Sequence, residues 1–232
     1  MKLSILIPVY NEESTISDVI RQVMAVDLPG IQKEIIIIDD GSTDATPRIL
    51  KSEWGQDTRI LSIHTSEQNF GKGMAIRTGL KYVTGEIILI QDADLELNPQ
   101  EYSALIRPIQ NNEVSVVYGS RFLNNTLPLP WRSRLAQLFL TPLTNFLYGS
   151  KLTDEATAYK VFKTETLKNI PLYCTGFEFC PEVTAKLLKR NIKIQEVPVT
   201  YHPRSKAEGK KIRYVKDGFL AIYTLVKYRF FD

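Results

Sequence analysis

Residues 86–94 read Glu-Ile-Ile-Leu-Ile-Gln-Asp-Ala-Asp, a β-branched apolar run that stops in carboxylates. The same design occurs earlier, where Glu34-Ile-Ile-Ile-Ile38 stops in Asp39-Asp40-Gly41. A short continuous apolar run is buried on both faces, as in a parallel strand covered by helices above and below. Outward from these two runs the pattern repeats. Strands are predicted at 3–9, 59–64 and 115–119, and helices at 12–26 (opened by Asn11), 43–53, 73–83 and from Pro99 to Ile109. Alternation at this spacing predicts an α/β fold with a doubly wound, mostly parallel central sheet and helices on both faces. Ligands of such sheets bind at the carboxyl ends of the strands, where both acidic clusters fall.

The rest of the chain is less regular. Leu127-Pro-Leu-Pro130 breaks the pattern, and a helix rich in Leu and Phe is predicted from Arg132 to Tyr148. A strand at 158–162, a helix at 178–189, a strand at 193–199 and an amphipathic segment at 215–228 complete the reading. With no linker and no internal repeat, residues 1–232 are expected to form one domain on one sheet.

Composition narrows the function classes. At 44% hydrophobic residues, with 12 Gly and 12 Pro in 232, the chain can bury a large core and is not a disordered or low-complexity polymer. Cys174 and Cys180 form no disulfide framework and have no zinc-like spacing to His, so they are expected to be reduced thiols of a cytoplasmic protein. No stretch approaches the ~18 apolar residues of a membrane span, and no transmembrane domain is expected. The net charge of +3 is unevenly placed: residues 186–216 hold ten Lys or Arg against two Glu. That segment calls for an anion. No zinc finger, basic zipper or stacking signature accompanies it, so a phosphate or an anionic membrane surface is expected rather than nucleic acid.

Asp92 and Asp94 leave a strand at spacing two, so both carboxylates can point one way. Two hard oxygen ligands suit a Mg²⁺ or Mn²⁺ that also binds substrate phosphates, with Glu96 as a third; the alternative is an Asp-rich turn. The segment Asp39 to Asp44 reads as a helix start capped by Ser42 or Asp44, as a ligand-binding strand end, or as both. Two glycines and Lys72 in Asn69-Phe-Gly-Lys-Gly73 precede a helix and resemble a phosphate cradle, without the spacing of the nucleotide-hydrolase loop.

Five ordered motifs carry a family likeness: Pro8-Val-Tyr-Asn-Glu12, Asp39-Asp-Gly-Ser42, Asn69-x-Gly-Lys-Gly73, Gln91-Asp-Ala-Asp-Leu-Glu96 and Gly119-Ser-Arg121. With Thr153-Asp154-x-x-Thr157 and Arg204-x-x-x-Glu208-Gly-Lys-Lys-Ile212, the chain resembles glycosyltransferase family 2 and its GT-A type fold. It is most similar to the branch of dolichyl-phosphate mannose synthases and polyprenyl-phosphate glucosyltransferases. The resemblance implies an inverting, metal-dependent hexosyltransferase that takes a GDP-mannose or UDP-glucose type donor. It implies that Pro8, Tyr10, Glu12, Asp39 and Asp40, with Ile38 beside them, bind the nucleoside. Asp92, Ala93, Asp94 and Glu96 would serve the metal and diphosphate, and Lys72, Arg121, Arg134, Arg204 and Lys211 the phosphates. Glu96 stands where the mannose synthases often have Gln, and the basic C-terminal motif departs from their Arg-x-x-Gly-x-Ser-Lys spacing.

A departing diphosphate develops negative charge, which a divalent cation and fixed cations offset. The expected acceptor, a polyprenyl phosphate, is a phosphate monoester with a second pKa of about 6, so it attacks without a general base. The alternative acceptor is a glycan hydroxyl, for which Asp154 is the nominated base; its other reading is an orienting group or helix cap. Two more distant alternatives are a nucleotidyltransferase and a non-catalytic nucleotide-sugar or lipid-binding module. For a lipid acceptor, the helix around Leu135 to Tyr148 and the segment 219–231 are expected to rest on the cytoplasmic face of a membrane, alone or with a membrane-anchoring subunit.

Overall fold

The strand runs pair into one sheet because their apolar side chains alternate between two helical layers. In the computed structural model, residues 1–56, 61–123, 131–204, 211 and 213–231 are described, with only the backbone of 131–137 and 214. Arg59, Leu127–Pro130 and Glu208–Lys210 lie outside the described residues, as does the Arg134 side chain. The strands are β1 (Lys2–Val9), β2 (Gln32–Asp39), β3 (Leu61–Thr65), β4 (Ile87–Ile90), β5 (Val116–Ser120), β6 (Lys160–Lys163) and β7 (Ile194–Pro198). Among the described residues they form a seven-stranded sheet in the order β3-β2-β1-β4-β6-β5-β7. β6 runs antiparallel to both its neighbours, and the other pairings are parallel.

Helices α1 (Ile16–Ala25), α2 (Thr46–Ile49), α3 (Lys72–Gly79), α4 (Tyr102–Gln110), α5 (Trp131–Tyr148), α6 (Thr164–Lys168), α7 (Phe179–Lys189) and α8 (Tyr214–Phe230) follow the predicted order, with α6 additional. One core packs Ile5, Ile7, Ile35 and Ile37 against α1 and α4; a second packs Leu6, Ile36, Ile38 and Ile88 against α3 and α7. Period-two alternation along each strand divides the side chains between these layers.

Two differences from the sequence reading matter for the site. The first helix begins at Ile16, not residue 12, because Asn11 has a left-handed φ of 49° and its Oδ1 accepts from Thr43 N–H at 2.7 Å. This turn frees Glu12 to face the strand ends. At α2 it is Asp44, not Ser42, that accepts from Thr46 N–H, at 2.9 Å, and the helix then widens into a π-type turn over Leu50–Trp54.

Candidate active site

β1 and β2 end level, with Pro8 opposite Ile38 and Val9 opposite Asp39, while β4 pairs Ile90 with Leu6. Residues 91–96 therefore run on past the end of β4 beneath the ends of its neighbours. Gln91 anchors that passage: its Oε1 accepts from the buried Tyr102 and Tyr159 hydroxyls, both at 2.8 Å, and its Nε2 donates to Asp92 O at 2.8 Å. Leu95, at φ 59°, turns the chain, and Asp94 Oδ1 accepts from Glu96 N–H at 3.1 Å. A cavity of about 640 Å³ opens here, walled on one side by Asp92, Asp94, Lys72, Arg121 and Arg204.

The charges are interleaved. Lys72 Nζ donates to Asp92 Oδ1 at 2.5 Å. Arg204 donates from Nη1 to Glu12 Oε2 at 2.8 Å and from Nη2 to Glu12 Oε1 and Asp94 Oδ2, both at 3.2 Å. Lys211 Nζ donates to Glu12 Oε1 at 2.5 Å and to Asn11 O at 3.0 Å. Burial, with Asp92 and Glu96 beside it, pushes the Asp94 carboxyl up to about 7 against the pull of Arg204. Burial also raises Asp40, although Phe70 and Gly71 N–H donate to its carboxylate at 3.0 and 2.6 Å.

Several expected roles change on this geometry. Among the described residues no three His, Cys, Asp or Glu side chains converge as a metal centre. Glu96 lines the same cavity, with its carboxylate accepting from the Tyr201 hydroxyl and from Arg204 N–H, each at 2.8 Å. The protein thus offers two carboxylates, Asp92 and Asp94. They fit a Mg²⁺ or Mn²⁺ that completes its shell with substrate phosphates, since the crowding that raises Asp94 is a charge surplus a cation relieves. Glu12 lines the cavity and ties the basic C-terminal segment to the end of β1 through Arg204 and Lys211. Ile38 is fully buried and packs with Leu6 and Ile76, supporting the site from beneath. Pro8, Tyr10, Asp40, Ala93 and Lys211 line the cavity. Asp39, fully buried next to the cavity-lining Asp40, accepts at Oδ1 from Ser42 N–H at 3.0 Å, and its Oδ2 has no hydrogen-bond partner among the described residues.

The phosphate cradle is also revised. Gly73 and Met74 N–H donate to Gly176 O and Thr175 O at 3.1 and 2.9 Å, so the start of α3 is already filled by backbone. Gly71 has φ 101° and ψ 160°, a region nearly restricted to glycine, and an added Cβ would lie 2.4 Å from Thr175 O. The glycines serve close packing, and within residues 69–73 it is Lys72 that carries charge to the cavity. Gly71→Ala is expected to cost about 2 kcal/mol from its conformation alone, a fall of roughly 4–8 °C in Tm readable by scanning calorimetry.

Asp154 is fully buried, and Arg121 grips it through Nε at 2.6 Å, Nη2 at 2.8 Å and its own N–H at 3.1 Å. Glu196 accepts from Asp154 N–H and Thr153 N–H, both at 2.8 Å. Burial lowers the Arg121 pKa, but Asp154 more than offsets it and the guanidinium stays charged. Asp154 therefore holds Arg121 in place, fully buried and outside the cavity lining, which is the orienting reading rather than the general-base one. Gln91, Glu196 and Tyr201 were not singled out as site residues; their roles depend on partners up to 105 positions away.

The layered sheet with one reversed strand and this cavity define a GT-A type glycosyltransferase fold. The solved Mycobacterium tuberculosis glucosyl-3-phosphoglycerate synthase, in complex with Mn²⁺, UDP-glucose and phosphoglyceric acid, shares it: TM-score 0.76, 22% identity, 98% of this chain and 79% of that one. The description "Glycosyl transferase family 2" matches residues 4–170, and the chain belongs to that family. A Methanococcus voltae UDP-N-acetylglucosamine–dolichyl-phosphate N-acetylglucosaminyltransferase is 30% identical over 96% of this chain and 94% of its own length. A Rhizobium johnstonii dodecaprenyl-phosphate galacturonate synthase is 26% identical over 90% of this chain, which spans 62% of that relative.

Proposed function

We propose that this chain transfers a hexose-type sugar from a nucleoside-diphosphate sugar to a polyprenyl phosphate, with inversion at the anomeric carbon. The observation that carries the reading is one cavity in which the Asp92–Asp94 carboxylate pair faces Lys72, Arg121 and Arg204. Carboxylates for a cation stand beside cations for phosphates, and the polyprenyl-phosphate relatives supply the acceptor class. Asp39 Oδ2 is an open acceptor for the base or ribose of the nucleotide. Asp92 and Asp94 would hold Mg²⁺ or Mn²⁺, which supplies Lewis-acid neutralisation of the departing diphosphate. Arg204 and Lys72 exchange carboxylate partners for phosphate oxygens when the donor binds. Arg121, fixed by Asp154, orients the acceptor phosphate. A phosphate dianion attacks unaided, so the locked Asp154 favours it over a hydroxyl acceptor.

α5 and α8 pack together through Leu140, Ala221, Leu225 and Tyr228. They leave Phe139, Phe146, Phe219, Tyr223 and Phe230 at least 63% exposed, beside exposed Lys216, Lys227 and Arg229. This face rests on an anionic membrane surface and lets the lipid tail stay in the bilayer. No described helix is long and apolar enough to cross a membrane. The test is a screen of GDP-mannose, UDP-glucose, UDP-galactose and UDP-N-acetylglucosamine with polyprenyl phosphate and Mn²⁺, scored by lipid extraction. One donor is expected to label the lipid, and EDTA to abolish the labelling; no labelled lipid from any donor refutes the reading. Co-sedimentation with anionic liposomes carrying polyprenyl phosphate is expected, and Phe146→Asp with Phe219→Asp should reduce it severalfold.

A further inference from the structure

Glu155, one residue past the Arg121 clamp, is used by none of the steps above. Its side chain is fully buried, yet it lines the cavity. Its backbone is fixed on both sides: its N–H donates to Thr141 Oγ1 at 3.3 Å, and its carbonyl accepts from Lys160 Nζ at 2.7 Å. Neither carboxylate oxygen meets hydrogen-bond geometry with any described residue. The neighbouring Thr184 hydroxyl pairs with the Tyr118 hydroxyl at 2.9 Å, a contact in which either can donate, and its proximity steadies the Glu155 carboxylate against burial.

Lys160 explains how a carboxylate is tolerated there. Its ammonium is fully buried, donates to Glu155 O and to Thr157 O at 2.7 and 2.8 Å, and faces the Tyr118 ring at 3.9 Å. It supplies positive charge to the neighbourhood while its donors go to the backbone and the ring. Lys160 offsets only part of the burial that pushes the Glu155 carboxyl up, and the two carboxyl oxygens have no hydrogen-bond partner among the described residues. The cavity that Glu155 lines also has an apolar part, contributed by Leu140, Ala158, Pro181 and Ala221.

The chemistry of the missing partner follows. A phosphate would be repelled by the carboxylate, and a prenyl chain would leave its lone pairs unpaired. Neutral O–H or N–H donors fit, and a carboxylate accepts from two neighbouring hydroxyls at once. We propose that Glu155 is the specificity-determining residue that accepts hydrogen bonds from hydroxyl groups of the transferred sugar. This rests on the nucleotide-sugar reading. A hydroxyl on a glycan acceptor has the same chemistry, so the test is run without acceptor.

The full-length chain is titrated calorimetrically in Mn²⁺ with UDP and GDP, then with UDP-glucose, UDP-galactose, UDP-N-acetylglucosamine and GDP-mannose. In Glu155→Met, affinity for the preferred free nucleotide is expected to stay within about twofold. Affinity for its sugar conjugate should fall at least about tenfold, with partial recovery in Glu155→Gln, which keeps an acceptor. Deoxy analogues of the preferred donor, tested on the unaltered protein, should lose the same factor at one or two ring positions. That arm decides the matter if the variants do not fold. Equal losses for nucleotide and nucleotide sugar, unchanged sugar affinity in Glu155→Met, or no loss with any deoxy analogue overturns the assignment. An unaltered protein that binds none of the nucleotides overturns the underlying reading instead.

Discussion

Replacing Asp94 with Asn is expected to slow sugar transfer about a thousandfold at saturating donor while leaving the protein folded. Asp94 sits against Asp92 and Glu96, and the same crowding that pushes its carboxyl up to about 7 makes this the most favourable place for a cation. Removing one of two carboxylates halves the protein's charge toward that cation. Lewis-acid stabilisation of a leaving diphosphate contributes several kcal/mol, and about 4 kcal/mol corresponds to a thousandfold in rate. Asn retains the oxygen that accepts from Glu96 N–H at 3.1 Å, so the turn survives and Tm should hold within a few degrees. Two measurements check this: single-turnover transfer, and calorimetric binding of Mn²⁺ in the presence of UDP or GDP. A variant that keeps a tenth or more of the parent rate in EDTA removes the cation from the mechanism.

Asp154→Asn is expected to damage both stability and turnover, whatever the acceptor. The pair it breaks is bidentate, with the carboxylate fully buried and the guanidinium side chain 17% exposed. Losing one partner of a buried pair strands the other charge, which costs about 3 kcal/mol at the lower end of the usual range. For a chain of this size that is a fall of roughly 6–12 °C in Tm. If Arg121 orients the acceptor phosphate as proposed, freeing it from its clamp is expected to cost about a hundredfold in kcat through misorientation. A general-base role predicts something different: intact stability, and a rate restored by raising the pH. Thermal unfolding together with a pH–rate profile separates the two.

Much of this protein is legible without coordinates because its fold rests on local patterns. The β-branched runs at 34–38 and 86–90 and the apolar periodicity between them specify parallel strands and covering helices. All seven strands lie within about two residues of their predicted bounds where those are described. Burial on two faces is written into such runs, and carboxylates that end them announce a strand-end site. The reversed direction of β6 was not legible, since a four-residue strand carries no mark of which neighbour it meets or how.

Which residues have chemistry to offer was therefore a sequence-level fact; how each one spends it was not. Glu12, Asp154 and the glycines at 71 and 73 look like ligand contacts in the one-dimensional chain. In the folded protein their bonds are used on Arg204, Arg121 and the 175–176 backbone. Glu155 attracts no notice in the sequence, yet among the described residues both of its buried carboxylate oxygens lack a hydrogen-bond partner. Hydrogen bonds saturate: an oxygen that has accepted its donors has little left for a substrate. Those donors come from residues 33 to 192 positions away, so only tertiary structure decides which groups remain available.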